Sequence, residues 1–464
     1  MMKHTCLVLS ISLWLAGCAT PGTVDRPALE IPEQWRSLPS QTVADAPAPW
    51  AALFARPDLA ALLQAARDNN RSLRAAAARV DAAAASYGVL RAQRWPALNA
   101  QGAASRGKQP VSAALDNQIG ESTQLAAALS WELDLWGRIA DQAESGRQSW
   151  LSAEETYRAA QVSLDTQVAG GWLLLLELDE QLLIAERTVA SQATSLDLVR
   201  RRFKGGVVSM VDVNQAESAL AGAESTRADI GRARAQAENA LAILIGRPPH
   251  AVPRSGMVSD LSRPTALPVG LPADLLLNRP DVRAAERALE STQHGVFAAR
   301  KAWLPSIKLT GMLGWASYDL SKVVSTGTEA WSAGGVINLP IFNGGSLMAQ
   351  LDLAEARQRE AAETYAGSVL QGLREVEDAI VGFQRLSEQS DALARRVKAT
   401  RERLRLADMR YRAGVTDYFE VLNAQQDLLA AELSAVQASR GSQAALLQLY
   451  AALGGAESGA PRAQ

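Results

Sequence analysis

The chain has 464 residues, of which 48% are hydrophobic and 21% are charged, and its formal net charge is −2. With 47 basic and 49 acidic residues it has no basic excess, so a nucleic-acid partner is not expected. Beyond the N-terminal leader no run of about 18 apolar residues occurs, which argues against a membrane-spanning helix.

The N-terminus has the features of an export signal. Lys3 precedes an apolar stretch that ends in Leu15-Ala16-Gly17-Cys18, which looks like the cleavage box of bacterial lipoproteins. Residues 1–17 are therefore predicted to be a lipoprotein signal peptide, and Cys18 is predicted to carry S-diacylglycerol and an N-acyl chain. An ordinary secretory leader with an incidental cysteine is the alternative. Two or three acyl chains hold a protein stably at a membrane, whereas one does not.

Proline positions organise the rest of the chain. Residues 18–50 contain six prolines and are predicted to form an extended, acylated tether. No proline occurs between Pro110 and Pro248, or between Pro340 and Pro461, and these gaps allow long helices. The predicted helices run from about Ile139 to Phe203, roughly 95 Å at 1.5 Å per residue, and from about Leu347 to Tyr411.

Within the first predicted helix, apolar residues recur at alternating spacings of four and three, which is the pattern of a coiled-coil seam. The second helix has a shorter seam of the same kind. A rod-like coiled coil with a purely structural role is one interpretation of these helices. The seam positions are Leu164, Val168, Gly171, Leu175, Leu178, Leu182, Ala185, Val189, Gln192, Leu196, Val199 and Phe203, and then Val369, Leu373, Val376, Ile380 and Phe383.

Four segments alternate between apolar and polar residues, which predicts strands with one apolar and one polar face. They cover about 98–106, 124–135, 307–315 and 331–339, and tryptophans lie near several of their ends. This pattern is typical of membrane β-barrels, with a soluble sandwich as the alternative. Four strands cannot close a barrel, and open edges in lipid are costly, so several chains must contribute.

The two halves of the chain repeat each other. A shift of 208 residues places Phe203-Lys204-Gly205-Gly206-Val207 on Tyr411-Arg412-Ala413-Gly414-Val415, and Gly246 on Gly454. Each repeat reads as helix, two strands, a very long helix, a tip and a long helix. The predicted domains are a first repeat at 51–250, a connector at 251–272, a second repeat at 273–455 and a disordered tail at 456–464.

Several motifs together resemble the TolC-like outer-membrane efflux channels, in the lipoprotein branch that serves resistance-nodulation-division pumps. They are Trp131-Glu132-Leu133-Asp134-Leu135-Trp136-Gly137-Arg138, Arg279-Pro280-Asp281-Val282-Arg283, Leu304-Pro305, the segment 339–345 and the two Gly-Val tips. The resemblance implies a mixed α/β membrane protein. It would be a homotrimer in which twelve strands form an outer-membrane β-barrel that continues into a coiled-coil barrel of α-helices.

The resemblance also implies function and location. The chain would be the passive outer-membrane conduit of a tripartite efflux system in a Gram-negative bacterium, working with a periplasmic adaptor and an inner-membrane pump and in contact with outer-membrane lipid. No cofactor or metal is expected beyond the lipid on Cys18. At the strand-to-helix corners, Asp134 and Asn343 are predicted to cap the long helices, and Gly137, Gly344 and Gly345 to permit the turn.

The two tips are the candidate functional site. In each, a glycine is predicted to end one long helix by adopting a left-handed conformation, and Ser209 or Asp417 to cap the helix that follows. By resemblance the tips contact the adaptor, through Gly205, Gly206, Val207, Val208 and Ser209, and through Ala413, Gly414, Val415 and Thr416. Family members close the channel with an apolar constriction and a polar ring, which points here to Phe419, Asn423 and Gln426. Relatives carry an acid and an arginine at the last two positions, so this chain would lack a charged lock. Asp417, Glu420 and Asp212 are predicted to make the entrance weakly cation-selective, unless they lie on the outer face.

Other functions are disfavoured by the sequence. His250 and His294 have no triad or metal-ligand pattern around them, so an enzyme is not predicted. A type I protein-secretion duct and a non-conducting structural envelope lipoprotein remain as alternatives. The exported cargo is not predicted, because a wide water-filled conduit leaves that choice to the pump.

Overall fold

A computed structural model describes residues 27–38, 50–108, 119–264, 267 and 279–455. The first repeat contains α1 (Ala51–Phe54), α2 (Pro57–Asn69), α3 (Arg71–Ala92), β1 (Ala97–Lys108), β2 (Ile119–Leu133), α4 (Arg138–Lys204) and α5 (Met210–Leu244). The second contains α6 (Pro280–Lys301), β3 (Ser306–Ser317), β4 (Glu329–Asn338), α7 (Ser346–Arg412) and α8 (Tyr418–Ala452). Cys18, the signal peptide at 1–17 and the tail at 456–464 lie outside the described residues.

The element order repeats as the sequence predicts. Helices α4 and α7 have 67 residues each, and α5 and α8 have 35 each. Both long helices begin and end within one residue of the predicted bounds. Glycines at the corners and tips delimit each helix, and the absence of proline allows it to continue between them. Among the described helices, none is sufficiently long and apolar to span a membrane.

The four strands form one antiparallel meander in the order β1-β2-β3-β4. The register places Leu98 opposite Leu129, Trp131 opposite Leu309, and Leu313 opposite Trp331. Residues predicted to share the apolar face therefore face each other across all three strand pairs. In this sheet β1 and β4 are edge strands, each with one side unpaired.

Strand β2 ends at Leu133, two residues before its predicted end, because Asp134 serves the following helix. Its carboxylate accepts hydrogen bonds from the backbone N–H groups of Ile139, at 3.0 Å, and Ala140, at 2.7 Å. Gly137 turns the chain with φ +73°. The Asp134 cap is confirmed, whereas at the second corner Asn343 contacts the helix through its backbone carbonyl, which accepts from Ser346 N at 3.3 Å.

The chain divides into two compact units. The first comprises the sheet with residues 79–154 and 284–366, and the second comprises 30–78, 155–283 and 367–464. In the second unit the predicted seams are buried: Val168, Leu175, Val376 and Ile380 have no exposed surface. Phe203, predicted as the last seam position, is instead exposed.

Loops of the second unit are tied to its helices by buried polar contacts. Arg254, in the connector, donates to the carboxylates of Asp179, at 3.0 Å, and Glu238, at 2.7 Å. Within the predicted tether, Trp35 is buried and Ser37 donates to Glu377 of α7. Part of the tether thus packs on the helices instead of extending freely.

Candidate functional site at the helical tips

The first tip is a five-residue turn between α4 and α5. Gly206 has φ +74°, a left-handed conformation that ends α4 at low cost. Ser209 is the N-cap of α5: its hydroxyl accepts from Asp212 N, and the Asp212 carboxylate accepts from Ser209 N at 2.8 Å. This reciprocal pair is a capping box, so the turn geometry is fixed by its own side chains.

The second tip repeats this design with different side chains. Gly414 has φ +76°, and Asp417 caps α8 by accepting from Glu420 N at 3.3 Å. The Glu420 carboxylate accepts from the Thr416 hydroxyl and pairs with Arg410 at 3.4 Å. The caps predicted from Ser209 and Asp417 are both confirmed.

The predicted adaptor-contact residues all lie in these two turns. Seven of the nine are exposed, and the two half-buried ones are Val208 and Thr416. Val207 and Val415 present large apolar side chains to solvent. Each tip therefore presents one exposed valine on a turn that is held rigid by its helix cap.

The predicted gate residues share one face of α8. Phe419, Asn423 and Gln426 are spaced by four and three residues, and Phe419 is 55% exposed although it is apolar. Val421 and Ala424, on the opposite face, are buried against the other helices. This face is thus available for contact beyond the chain itself, and its role in closure stays a prediction.

The three acids predicted at the entrance are each engaged locally. Asp212 and Asp417 cap helix N-termini, where negative charge is favoured by the helix dipole. Glu420 pairs with Arg410. The three acids therefore have a local structural role in the turns, and cation selectivity at the entrance stays a prediction.

The sequence analysis missed a contact that joins the two tips. The Arg202 guanidinium, near the end of α4, lies 4.2 Å from the centroid of the Tyr411 ring on α7. It also donates to the backbone carbonyls of Tyr411, at 3.1 Å, and Arg412, at 3.2 Å. A cation at the carboxyl end of a helix is favoured by the dipole, so Arg202 binds one hairpin to the other.

A pair of buried tyrosines extends this contact. The rings of Tyr411 and Tyr418 lie 5.7 Å apart, and both side chains are buried. Burial raises the pKa of Tyr418 to about 12, and neighbouring Tyr411 adds to the effect. Burial also raises the pKa of Tyr411, against the opposing influence of the Arg202 charge. Both phenols therefore remain neutral near pH 7.

The two tips differ where the duplication would make them alike. Phe203 and Met210 are 41% and 52% exposed, whereas their counterparts Tyr411 and Tyr418 are 3% and 2% exposed. The available sequence signal was a tyrosine at both ends of one tip and at neither end of the other. The residues that flank the second tip are consequently packed into the protein, whereas those that flank the first present apolar surface.

No metal chemistry is indicated by the described residues. Among them, no group of three or more His, Cys, Asp or Glu side chains is arranged to hold a metal ion.

Comparison with known proteins identifies relatives that share this sequence and architecture. The sequence profile of the outer membrane efflux protein family matches residues 62–247 and 271–455, two segments that correspond to the two repeats. The chain is 34% identical to the solvent efflux pump outer membrane protein SrpC of Pseudomonas putida, covering 98% of each chain. It is also 34% identical to the cation efflux system protein CusC of Escherichia coli, covering 97% of this chain and 98% of that one.

A solved structure gives the same result. The open state of the MtrE outer membrane channel of Neisseria gonorrhoeae superposes with a TM-score of 0.83 at 30% identity, covering 94% of this chain and 98% of that one. The chain belongs to the outer membrane efflux protein family. It is the outer-membrane channel component of an efflux system, with the β-domain, long helices and tandem duplication that the sequence predicts.

Proposed function

We propose that three copies of this chain form one passive conduit through the outer membrane. The observation that carries this proposal is the four-stranded sheet with unpaired edges at β1 and β4. Unpaired backbone groups cost several kcal/mol each in lipid, so β4 of one subunit pairs with β1 of the next. Twelve strands then close a barrel without an edge, and ions and solutes pass through its lumen without catalysis by this component.

Inter-subunit cysteine crosslinking tests the closure. Within one chain β1 and β4 are separated by two strands, about 14 Å at about 4.8 Å per step, whereas a disulfide needs Cα atoms within about 7 Å. A cysteine at Asn99 in β1, combined with single cysteines scanned along β4, should give covalent dimers and trimers at one register. A series that stops at monomers, or continues past trimers, would contradict the closed trimer.

The long helices continue the conduit toward the periplasm. There the exposed tips dock a periplasmic adaptor, which connects them to an inner-membrane pump of the resistance-nodulation-division class. The support is the pair of rigid apolar turns at Val207 and Val415. Val207→Asp and Val415→Asp should reduce adaptor recovery in pull-downs while leaving conductance in planar bilayers intact. Unchanged recovery with both variants would remove the tips as the docking site.

At rest, the α8 face carrying Phe419, Asn423 and Gln426 closes the channel by packing and hydrogen bonding. Asp212, Asp417 and Glu420 make the entrance weakly cation-selective. The relevant measurement is the reversal potential of the purified channel in asymmetric KCl, which should show cation preference. Anion preference would refute the acidic entrance.

Acylation at Cys18 anchors each subunit in the outer membrane. Cys18→Ala should lose the lipid mass in intact-protein mass spectrometry. Cargo is selected by the pump, in keeping with relatives at the same identity whose names refer to solvent and to cation efflux. A type I secretion duct is the second candidate, and identification of the adaptor that co-purifies with the chain separates the two.

A further inference from the structure

The apolar face of the sheet carries charged residues at the strand ends that lie away from the helices. Arg106 of β1 pairs there with Glu121 of β2 at 3.1 Å, and their side chains are 70% and 46% exposed. Glu329, the first residue of β4, lies on the same face, directly opposite Trp315. Its carboxylate accepts from Gly327 N at 2.9 Å, and within the described part of the chain no basic side chain pairs with it. An acid without a counter-charge is unfavourable on a face that lies against lipid.

The strand pairing defines one continuous row of residues across the sheet. Gly102 of β1 is opposite Leu125, Leu125 is opposite Trp315, and Trp315 is opposite Glu329. When β4 pairs with β1 of the next subunit, this row continues, and the residue that it reaches on β1 sets the stagger of the barrel. If the row returned to Gly102 there would be no stagger, and residues 335–338 of β4 would extend beyond the start of β1 without a partner.

Three conditions select the residue of β1 that lies opposite Glu329. A strand tilt of about 35–45° in a barrel of twelve strands requires a total stagger of about 12–18 residues, or about four to six at each of three junctions. The stagger at each junction is even, because an odd number would exchange the apolar and polar faces. It runs away from Ala97, because a stagger in the other direction would leave nearly all of β4 unpaired. Arg106 and Lys108, four and six residues beyond Gly102, are the positions that satisfy all three conditions, and both are basic.

We propose that Glu329 forms an ion pair with Arg106 of the partner subunit at each junction of the barrel. The pair rests on the proposed function, because it forms only where three copies close one barrel. Its register, with a stagger of four residues, gives all ten residues of β4 a partner within 97–106. It also places Ile337 opposite Leu98, and each of these side chains is 71% exposed in the single chain.

Arg106 can hold two carboxylates at once. Its guanidinium has five N–H donors, so the contact with Glu121 leaves donors for Glu329. The three side chains then form a row of acid, base and acid across the junction. A stagger of six residues would instead place Trp331 opposite Arg106 and leave the first two residues of β1 beyond the end of β4.

Disulfide formation in the full chain measures the register. Val336 lies opposite Asn99 when the stagger is four residues, whereas Asn338 lies opposite Asn99 when it is six. Asn99→Cys combined with Val336→Cys should form covalent dimers and trimers on oxidation, because opposite residues have Cα atoms about 4.5–5.5 Å apart. Asn99→Cys combined with Asn338→Cys is the matched control and should crosslink poorly, because its diagonal separation is about 7–8 Å. Efficient crosslinking of the control pair instead of the first pair would overturn the pairing with Arg106.

Removal of the charges measures the ion pair itself. Glu329→Gln should speed the dissociation of heated trimers in detergent, followed by native electrophoresis, by about two- to fivefold, as expected for an opposite-charge pair across two strands. In an Arg106→Gln chain the same change should have no effect, because the partner charge is already absent. Lys308→Gln is the matched background, since Lys308 lies on the polar face with Glu132 at 3.9 Å, and Glu329→Gln should keep its full effect there. Equal effects in the two backgrounds would overturn the ion pair.

Sedimentation and planar-bilayer conductance of the unmodified chain separate this proposal from the proposed function. A chain that sediments as a monomer and does not conduct would remove the conduit together with the ion pair. A conducting trimer that crosslinks only through Asn338, or in which Glu329 and Arg106 act independently, would remove the ion pair and leave the conduit standing.

Discussion

Replacing Arg202 by alanine should loosen the contact between the two tips. The change removes the cation over the Tyr411 ring and the two hydrogen bonds to the carbonyls of Tyr411 and Arg412. The Tyr411 carbonyl still accepts from Gly414 N at 3.0 Å, and Arg412 is an exposed residue, so no buried group is orphaned. The loss is consequently that of the direct interactions alone.

The expected magnitude follows from these contacts. The cation–π interaction contributes about 0.5–1 kcal/mol at a half-exposed site, and each hydrogen bond contributes about 0.5–1 kcal/mol net. Together they amount to about 2 kcal/mol, which corresponds to an increase of about 30-fold in the local opening equilibrium.

Hydrogen exchange measures that opening directly. Backbone amides of 408–420 should exchange about 30-fold faster in Arg202→Ala. Arg201→Ala is the matched control, because Arg201 makes only an exposed pair with Asp197 at 2.5 Å, worth about 0.3–0.5 kcal/mol, or less than about threefold. Equal exchange in the two variants would show that Arg202 does not hold the tips together.

Three further predictions concern stability. Gly246→Ala should lower the free energy of unfolding by at least about 2 kcal/mol, because a Cβ at this position would lie 2.3 Å from Asn69 O and the residue has a φ of +73°. Gly170→Ala is the control and should not lower it, because a Cβ there has no atom within 4 Å. Comparable melting temperatures for the two variants would refute the packing argument. Ser209→Ala should cost about 1 kcal/mol in urea unfolding through loss of the N-cap, and Ser209→Asp should retain it; equal losses would count against the cap. Burial alone would raise the pKa of Asp179, but hydrogen bonds from two arginines hold that pKa below its ordinary value of 3.8. The contribution of ionised Asp179 to stability is therefore present above pH 3.8 and lost as the pH falls through the lowered pKa. The difference in melting temperature between the unmodified chain and Asp179→Asn should consequently shrink in acid. A difference that stays constant with pH would exclude the ion pairs of Asp179 as the source of that stability.

Much of the fold was predictable because it follows from local chemistry. Proline-free segments with a seam of period 3.5 gave the bounds of α4 and α7 to within one residue, and alternation gave all four strands. The end of β2 was placed two residues late, because the cap formed by Asp134 depends on the direction of the helix that follows. Phe203 was assigned to the buried seam of α4. The last buried residue of that seam is Val199, and Phe203 is exposed.

At the candidate site, the turns and caps were predictable and the long-range contacts were not. Glycine in a left-handed conformation and a capping side chain act within a few residues, so Gly206, Ser209, Gly414 and Asp417 were identified correctly. Arg202 reaches a helix that lies more than 200 residues later in the chain, and no local pattern specifies that partner.

The sequence by itself determined the tandem duplication, the lengths of the helices, the alternation of the strands and the turns at the tips, since each depends on neighbouring residues. Only the tertiary structure decided that Tyr411 and Tyr418 are buried while Phe203 and Met210 face solvent. Equivalent positions in a duplicated chain have the same local preferences but different neighbours in space. Burial is fixed by those neighbours, so the packing of four helices made the two tips unlike.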